Sequence, residues 1–284
     1  MNTRYAPTYL SHGSPMTAIE PGPAGAFWQR LGAGLAARAA APGGTLPTGV
    51  IMFSAHTLAR KPVTLGAAHH EAVHDFGGFP AELYALRYPA PGAPALAERA
   101  HALIAAAGIE IHASAAGGLD HGIWTPLRTI RPQGDLPVLP IAFPPDWSPR
   151  QLFALGAALA PLVDEGVWIV GSGSITHNLR LGFGQPGMRD APEIAESAAF
   201  RHWFVDRSAA RDWPALWDYR RLAPHAVFMH PTDEHLLPWY IAAGAGGEAA
   251  PALRLHDSVT WGHLAMDAYV FGPEAPGLAG VLPA

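Results

Sequence analysis

Three apolar, strand-like runs in this chain each end in a short polar turn that carries a histidine. The turns place His12, His56 and, after a glycine- and serine-rich stretch, His177 at the ends of these runs. Alanine-rich segments of helical character lie between the strand-like runs of the first half, an alternation that predicts a layered α/β domain. Because ligands bind at the carboxyl ends of strands in such domains, these histidines are candidates for one functional site.

The remaining runs predict that the sheet is mixed. Strands are predicted at 8–11, 49–55, 62–67, 137–143, 167–171, 253–260 and 264–271, and helices at 33–41, 92–107 and 151–161. Only Trp261, Gly262 and His263 separate the last two strands, which indicates an antiparallel hairpin. No segment has the composition of a linker, so we expect a single domain over 1–284: a central mixed β-sheet flanked by helices.

Composition excludes several classes of function. The chain has no cysteine, which rules out disulfides, thiolate chemistry and cysteine-ligated metal sites. A formal net charge of −5 gives no indication of a nucleic-acid partner, which would need a basic face. Residues 1–7 have no signal-peptide pattern, and no apolar stretch is long enough for a membrane span. We therefore expect a cytoplasmic protein without membrane partners, either a monomer or a homo-oligomer.

Other polar positions are candidates for the same site. His235 lies just before an apolar helical segment. His121 begins a segment predicted to be helical, and Asp120 before it could orient a ring nitrogen or cap the helix, capping being the commoner role. His74 and Asp75 lie in a glycine-broken aromatic loop that is a candidate pocket wall.

The glycine- and serine-rich stretch 171–174 before His177 lacks the residues of the nucleotide-binding and nucleophile motifs. It has neither the lysine of a P-loop nor the third glycine of a dinucleotide fingerprint. It also lacks a serine with glycines at both −2 and +2, which a nucleophile elbow requires. We expect its small residues to make room for a bulky substrate beside His177.

No pair among the ligand candidates His12, His56 and His235 has the spacing of a local zinc site, in which two histidines of one helix lie four positions apart. A site assembled from His12, His56 and His235 would be long-range, as is typical of a catalytic centre on an α/β scaffold. Three protein ligands leave positions open for a substrate and a second molecule, both in non-haem iron oxygenases and in catalytic zinc sites. The residues themselves thus predict a metal-dependent enzyme and leave the identity of the metal open.

Seven short motifs add a family resemblance. They lie at 11–15, 53–56, 74–80, 88–92, 119–122, 171–179 and 231–238. Together, and in this order, they resemble the class III extradiol ring-opening dioxygenases, which include the protocatechuate 4,5-dioxygenase catalytic subunit, and most closely the DOPA 4,5-dioxygenase-like (DODA-type) branch. The resemblance implies that a DOPA-like catechol and O₂ react at a ferrous ion to give a ring-opened semialdehyde. Zinc is a plausible bound metal, because three-histidine sites also take zinc well.

The resemblance also assigns roles to individual residues. It implies that His12, His56 and His235 are metal ligands, and that His177 is the acid/base or a fourth metal contact. His121 would be a second histidine beside the substrate. The protocatechuate branch uses a glutamate as its third ligand, and Glu234 is adjacent here, but DODA-type proteins favour the histidine.

Substrate recognition and two alternative functions stay open. Arg60, Arg128, Arg180 and Arg254 are candidates to bind a substrate carboxylate, and Arg180 is favoured because it is near His177. One alternative function is a zinc-dependent hydrolase on the same ligands, with metal-bound water as the nucleophile. The other is a non-catalytic binding protein of the same fold, which the complete ligand set disfavours.

Overall fold

The computed structural model of the protein describes residues 4–182, 189–249 and 252–275. Its strands are β1 (Thr8–Ser11), β2 (Gly49–Ser54), β3 (Val63–Leu65), β4 (His69–His70), β5 (Ala90–Pro91), β6 (His112–Ser114), β7 (Val138–Ala142), β8 (Val167–Gly173), β9 (Ala252–His256), β10 (Val259–Thr260), β11 (Leu264–Ala265) and β12 (Ala268–Phe271). Its helices are α1 (Gly22–Ala40), α2 (Ala81–Ala85), α3 (Pro94–Ala106), α4 (His121–Ile130), α5 (Pro149–Ala158), α6 (Pro161–Asp164), α7 (Ala195–Ala210), α8 (Trp213–Trp217), α9 (Tyr219–Leu222), α10 (Ala226–Met229) and α11 (Leu237–Gly246). Short 3₁₀ turns lie at Pro15–Ala18 and Leu179–Leu181.

Eight strands form one mixed sheet in the order β6-β3-β7-β2-β8-β1-β12-β9. The four central strands, β7, β2, β8 and β1, are parallel to one another. At one side β12 and β9 continue the sheet with antiparallel pairing, and at the other β3 is antiparallel to β7. The predicted mixed sheet is confirmed. The predicted C-terminal hairpin is confirmed as well: β9 pairs with β12 in antiparallel fashion, and between them in sequence β10 pairs with β11 in the same way.

The strands bury side chains on both faces of the sheet. On β2, Ile51 and Phe53 belong to one apolar core, whereas Val50 and Met52 belong to a second core on the opposite face. Residues of α3, α5, α7 and α11 complete the first core, and residues of α1 and α4 complete the second. Strands covered on both faces are expected to be continuously apolar, which explains the runs in the sequence. The α/β class with flanking helices is confirmed.

Local signals set where two of the predicted helices begin. Helix α5 begins at Pro149, because Ser148 at the N-cap and Gln151 in the first turn form a reciprocal capping box. Helix α1 is longer than the predicted 33–41, since it begins at Gly22 and its first half buries aromatic residues such as Trp28. Among the helices of the described ranges, none has the length and apolar character needed to cross a bilayer.

The glycines of β8 let the chain entering α11 approach the sheet. A Cβ atom at Gly173 would lie 1.9 Å from the carbonyl oxygen of His235, and one at Gly171 would lie 2.2 Å from that of Pro238. The expectation that these small residues make room for substrate is therefore wrong, because protein backbone occupies that space. Their effect is to bring His235 against the carboxyl end of the sheet.

Candidate metal centre and substrate pocket

Parallel neighbouring strands deliver the first two histidines to one edge of the sheet. In the register of β2 and β8, Ser54 lies opposite Ser172, so the two strands end within one residue of each other. His56 follows β2, and His12 follows β1 on the other side of β8. The backbone N–H of His12 donates to the carbonyl oxygen of Gly173 at 3.0 Å, which extends the β1–β8 pairing to the histidine. Histidines that are far apart in sequence therefore become neighbours.

His12, His56 and His235 direct ring nitrogens toward a common point. These three nitrogen atoms all lie within 4.8 Å of one another, and the Nε2 atoms of His12 and His56 are 3.2 Å apart. Burial, followed by the neighbouring histidines, lowers the pKa of each ring, to about 3 for His56. Three neutral imidazoles are a donor set that suits Fe²⁺ and Zn²⁺. The residues present therefore fit a metal ion.

A hydrogen-bond chain behind His12 fixes its tautomer. The Ser172 hydroxyl donates to the carbonyl oxygen of Gly122 at 2.5 Å, so it accepts from Nδ1–H of His12 at 2.9 Å. The lone pair of His12 is then on Nε2, the atom that faces His56. Outer hydrogen bonds of this kind orient metal-binding histidines. Sequence reasoning missed Ser172, which it treated only as a small residue.

His235 is held through both its ring and its backbone. The Glu234 carboxylate accepts from Nδ1–H of His235, with Oε1 at 3.2 Å, and the Thr232 hydroxyl donates to the same oxygen at 3.0 Å. The carbonyl oxygen of His235 accepts from the Tyr9 hydroxyl at 3.0 Å and from the backbone N–H of Ser174 at 2.9 Å. These contacts anchor the loop before α11 to β1 and to the end of β8.

His177 lies against His235. Their rings are stacked, with centroids 3.4 Å apart and an interplanar angle of 9°. A ring nitrogen of His177 belongs to a second cluster of ligand-type atoms, formed with Glu234 and His235. Burial lowers the pKa of His177 to about 3, and nearby histidines contribute to the shift. His177 is therefore neutral at physiological pH and can accept a proton.

Asp75 orients His121 at the start of α4. Its Oδ1 accepts from both the backbone N–H and Nδ1–H of His121, each at 3.0 Å, and Oδ2 lies 3.1 Å from Nδ1. Burial opposes ionisation of Asp75, but the hydrogen bonds and charge interaction with His121 outweigh it and lower the pKa of the carboxyl group. With Nδ1 protonated, Nε2 is the atom of His121 that is free to face a substrate.

Asp120 caps α4, as the sequence predicted. Its Oδ1 accepts from the backbone N–H of Gly122 at 2.8 Å and from the Ser54 hydroxyl at 2.6 Å. The Thr57 hydroxyl donates to Oδ2. Burial nevertheless raises the pKa of Asp120. The carboxylate thus ties the end of β2 to the helix that carries His121.

A cavity of about 510 Å³ opens onto the histidines. Its polar wall includes His56, His121, His177, Glu234 and His235. Its apolar wall includes Leu58, Phe76, Phe79, Leu179 and Leu264. A mostly apolar cleft with a few converging polar groups is typical of a small-molecule site. The volume accommodates one substituted aromatic ring.

Three residues predicted to bind substrate lie outside this lining. The aromatic loop forms part of the wall, but through Phe76 and Phe79, whereas His74 donates from Nε2 to the carbonyl oxygen of Leu86 at 3.2 Å. Asp75 contacts His121 from behind. Arg180 is exposed beside Leu179, which does line the cavity.

Comparisons with known proteins agree with this site. The family model described as the catalytic LigB subunit of aromatic ring-opening dioxygenase matches residues 7–272. A 4,5-DOPA dioxygenase extradiol from Beta vulgaris is 34% identical over 93% of this chain and 95% of its own length. The protein of the same description from Escherichia coli (strain K12) is 30% identical over 93% and 94%.

A solved structure extends the likeness to the fold. The crystal structure of an uncharacterized protein from Escherichia coli K12 superposes with a TM-score of 0.70 at 25% identity, covering 93% of this chain and 98% of the other. Family model, relatives and fold agree with the resemblance carried by the sequence motifs. The chain belongs to the LigB family of extradiol aromatic ring-opening dioxygenases.

Proposed function

We propose that this dioxygenase uses a ferrous ion to open the ring of a catechol that carries a DOPA-like side chain. The observation that carries the proposal is the convergence of His12, His56 and His235 at one end of a cavity of about 510 Å³. Relatives described as 4,5-DOPA dioxygenases support a catechol substrate. The apolar wall supports an aromatic ring as the group that fills the cavity.

The three histidines would hold the ion through neutral ring nitrogens. When bound, a ferrous ion supplies the Lewis acidity that lowers the pKa of catechol hydroxyls and the redox chemistry that O₂ requires. Ser172 and Glu234 keep the Nδ1 protons of His12 and His235 in place, so these side chains do not need to reorient when the ion binds.

His177 and His121 would handle the protons of the reaction. His177 lies against the ligand His235, is neutral, and lines the cavity, so it can take a proton from a catechol hydroxyl and return it later. His121 lines the same cavity, and because Asp75 holds the proton on its Nδ1, Nε2 is the ring nitrogen that can exchange a proton with the substrate.

The test is metal reconstitution followed by measurement of O₂ consumption. Apoprotein loaded anaerobically with Fe²⁺ should consume O₂ when a catechol is added and release a yellow ring-opened semialdehyde, whereas the Zn²⁺-loaded protein should consume none. Absence of O₂ uptake with every catechol, together with ester or amide hydrolysis by the Zn²⁺ form, would instead support a zinc hydrolase on the same ligands.

A further inference from the structure

Among the described residues that form the wall of the substrate cavity, a single side chain is formally charged, and it is acidic. Glu234 lines the cavity, whereas no lysine or arginine is among the described residues that form its wall. The chain has 18 lysine and arginine residues, and all of them lie within the described ranges. The cavity therefore has no cationic side chain in its lining that could pair with a substrate carboxylate.

One oxygen of Glu234 is free to contact a ligand. The hydroxyl of Thr232 and Nδ1–H of His235 both contact Oε1. Within the described part of the chain, no hydrogen bond or ion pair engages Oε2, and the side chain is 20% exposed. Glu234 is thus held in place by its neighbours and keeps an acceptor for a cationic group in the cavity.

The charge of a bound metal ion does not make the cavity favour a carboxylate over an ammonium group. In a loaded site the two oxygens of a bound catechol would offset a divalent ion, so the ion would add little attraction for a carboxylate on the substrate side chain, and Glu234 is the acidic group of the wall. A carboxylate on the substrate side chain would lose water against Leu58, Phe76 and Leu264 without gaining a charged partner. An ammonium group could pair with Glu234 through a charge-assisted hydrogen bond.

We propose that Glu234 selects catechols with an amine-bearing side chain, and that the cavity discriminates against a side-chain carboxylate. This selectivity rests on the proposed function, because it concerns the substrate of the same site. It implies that the decarboxylated amine is a better substrate than the amino acid DOPA.

Four catechols that differ in two groups provide the test. They are 4-ethylcatechol, dopamine, 3-(3,4-dihydroxyphenyl)propanoate and DOPA, so the amine and the carboxylate are each present or absent in every combination. The amine should raise kcat/KM about ten-fold whether or not the carboxylate is present, and the carboxylate should lower it about ten-fold. Binding of the same four compounds to the Zn²⁺-loaded protein should follow the same order.

Variants of Glu234 test whether this residue causes the effect of the amine on kcat/KM. Glu234→Gln keeps an acceptor for His235 but removes the charge, so the ratio of kcat/KM for dopamine to kcat/KM for 4-ethylcatechol should fall to about one. Glu234→Asp keeps the charge and should keep part of the preference for dopamine. Glu110→Gln, a change at an exposed carboxylate paired with Lys61, is the matched control and should leave the ratio unchanged. Metal content is measured for each variant, and the ratio between substrates cancels a general loss of activity.

Three results would overturn the selectivity. They are a preference for the carboxylated compounds, an amine effect that persists in Glu234→Gln, and equal binding of all four compounds. If Arg180→Ala then abolished a carboxylate preference, Arg180 would be the recognition group. Failure of the proposed dioxygenase function can be told apart from failure of this selectivity. In the first case the Fe²⁺ protein would consume no O₂ with any of the four catechols. The order in which the four bind to the Zn²⁺ form would still support or contradict the role of Glu234.

Discussion

Asp75 accepts two hydrogen bonds from His121, one from the backbone N–H and one from ring Nδ1, both at 3.0 Å. The pair fixes the position of the first residue of α4 and the tautomer of its ring at the same time. His121 lines the substrate cavity, whereas the Asp75 carboxylate lies behind it. Asp75 therefore acts on the reaction through the histidines beside it and not by contact with the substrate: it bonds His121, and its Oδ2 lies 3.7 Å from Nδ1 of His56.

Asp75→Ala should lower kcat by about 10- to 100-fold with a smaller change in KM and little loss of metal. The reason is that Nδ1 of His121 loses the acceptor that holds its proton. Asp75→Asn, which retains one acceptor oxygen, should be less impaired. Steady-state O₂ uptake and metal analysis check this, with the exposed Asp206→Ala as the control. A loss of metal in proportion to the loss of kcat would contradict the positioning role.

Ser172→Ala should weaken metal binding about 10- to 100-fold, because Nδ1–H of His12 loses its acceptor and the ring is free to rotate. Competition with a metal-binding dye measures the affinity. Ser174→Ala is a matched control, since the Ser174 hydroxyl lies within hydrogen-bond distance of the carbonyl oxygens of Thr176 and Ala265, and among the described residues it bonds no histidine ring. Equal affinity losses in the two variants would show that general destabilisation, not the tautomer of His12, controls metal affinity.

Gly173→Ala should reduce both stability and metal content. Its Cβ would lie 1.9 Å from the carbonyl oxygen of His235, so the loop that carries this histidine must move away from β8. Overpacking of this kind costs about 1–3 kcal/mol. Urea unfolding and metal analysis measure the two effects. Gly77→Ala, at a position with open space around its Cβ, is the control and should bind metal normally.

The sequence predicted the sheet and the histidines at its edge because these depend on local patterns. Strands buried on both faces must be apolar throughout, and a histidine directly after such a strand lies at its carboxyl end. His12 and His56 could therefore be placed at one edge without knowledge of the strand order. His235 was a candidate because it lies just before an apolar helical segment, but only the family resemblance assigned it as a metal ligand, since nothing local indicates that its loop packs on β8.

The contacts that orient these histidines depend on packing and could not be predicted locally. Ser172 contacts His12 across 160 positions of sequence, and only the register of β1 and β8 brings them together. The small residues of β8 were expected to make room for substrate, because nothing in the local sequence shows that the chain entering α11 fills the space beside them. For the same reason Phe76 and Phe79 were recognised only as part of an aromatic loop, not as the residues that face the cavity.

His177→Ala should keep the metal and lose turnover by at least about 100-fold, since general acid/base groups contribute about 10²- to 10⁴-fold to rate. His177 stacks on His235, and in our proposal it exchanges protons with the substrate without holding the ion. Metal content, catechol binding and O₂ uptake are measured on the same preparation. Loss of metal equal to the loss of turnover would make His177 a fourth ligand.

His230 should make folding sensitive to acid. The ring is fully buried, donates from Nε2 to the carbonyl oxygen of Ile175 at 2.7 Å, and has a pKa that burial lowers to about 4 from an ordinary 6.5. Between these values the unfolded chain binds a proton that the folded protein does not, so the free energy of unfolding falls as pH decreases.

For His230 this loss is about 2 kcal/mol between pH 7 and pH 5. His230→Gln keeps a donor for Ile175 but cannot titrate in this range, so urea unfolding of the metal-free variant should show a smaller decrease over the same interval. His69→Gln, at an exposed histidine that contacts Glu71, should behave like the unmodified protein. Because other buried histidines act in the same direction, the expected result is a reduced pH dependence and not a flat one. An identical decrease in the His230→Gln variant and the unmodified protein would mean that His230 is already protonated, or already exposed, in the folded state at pH 5.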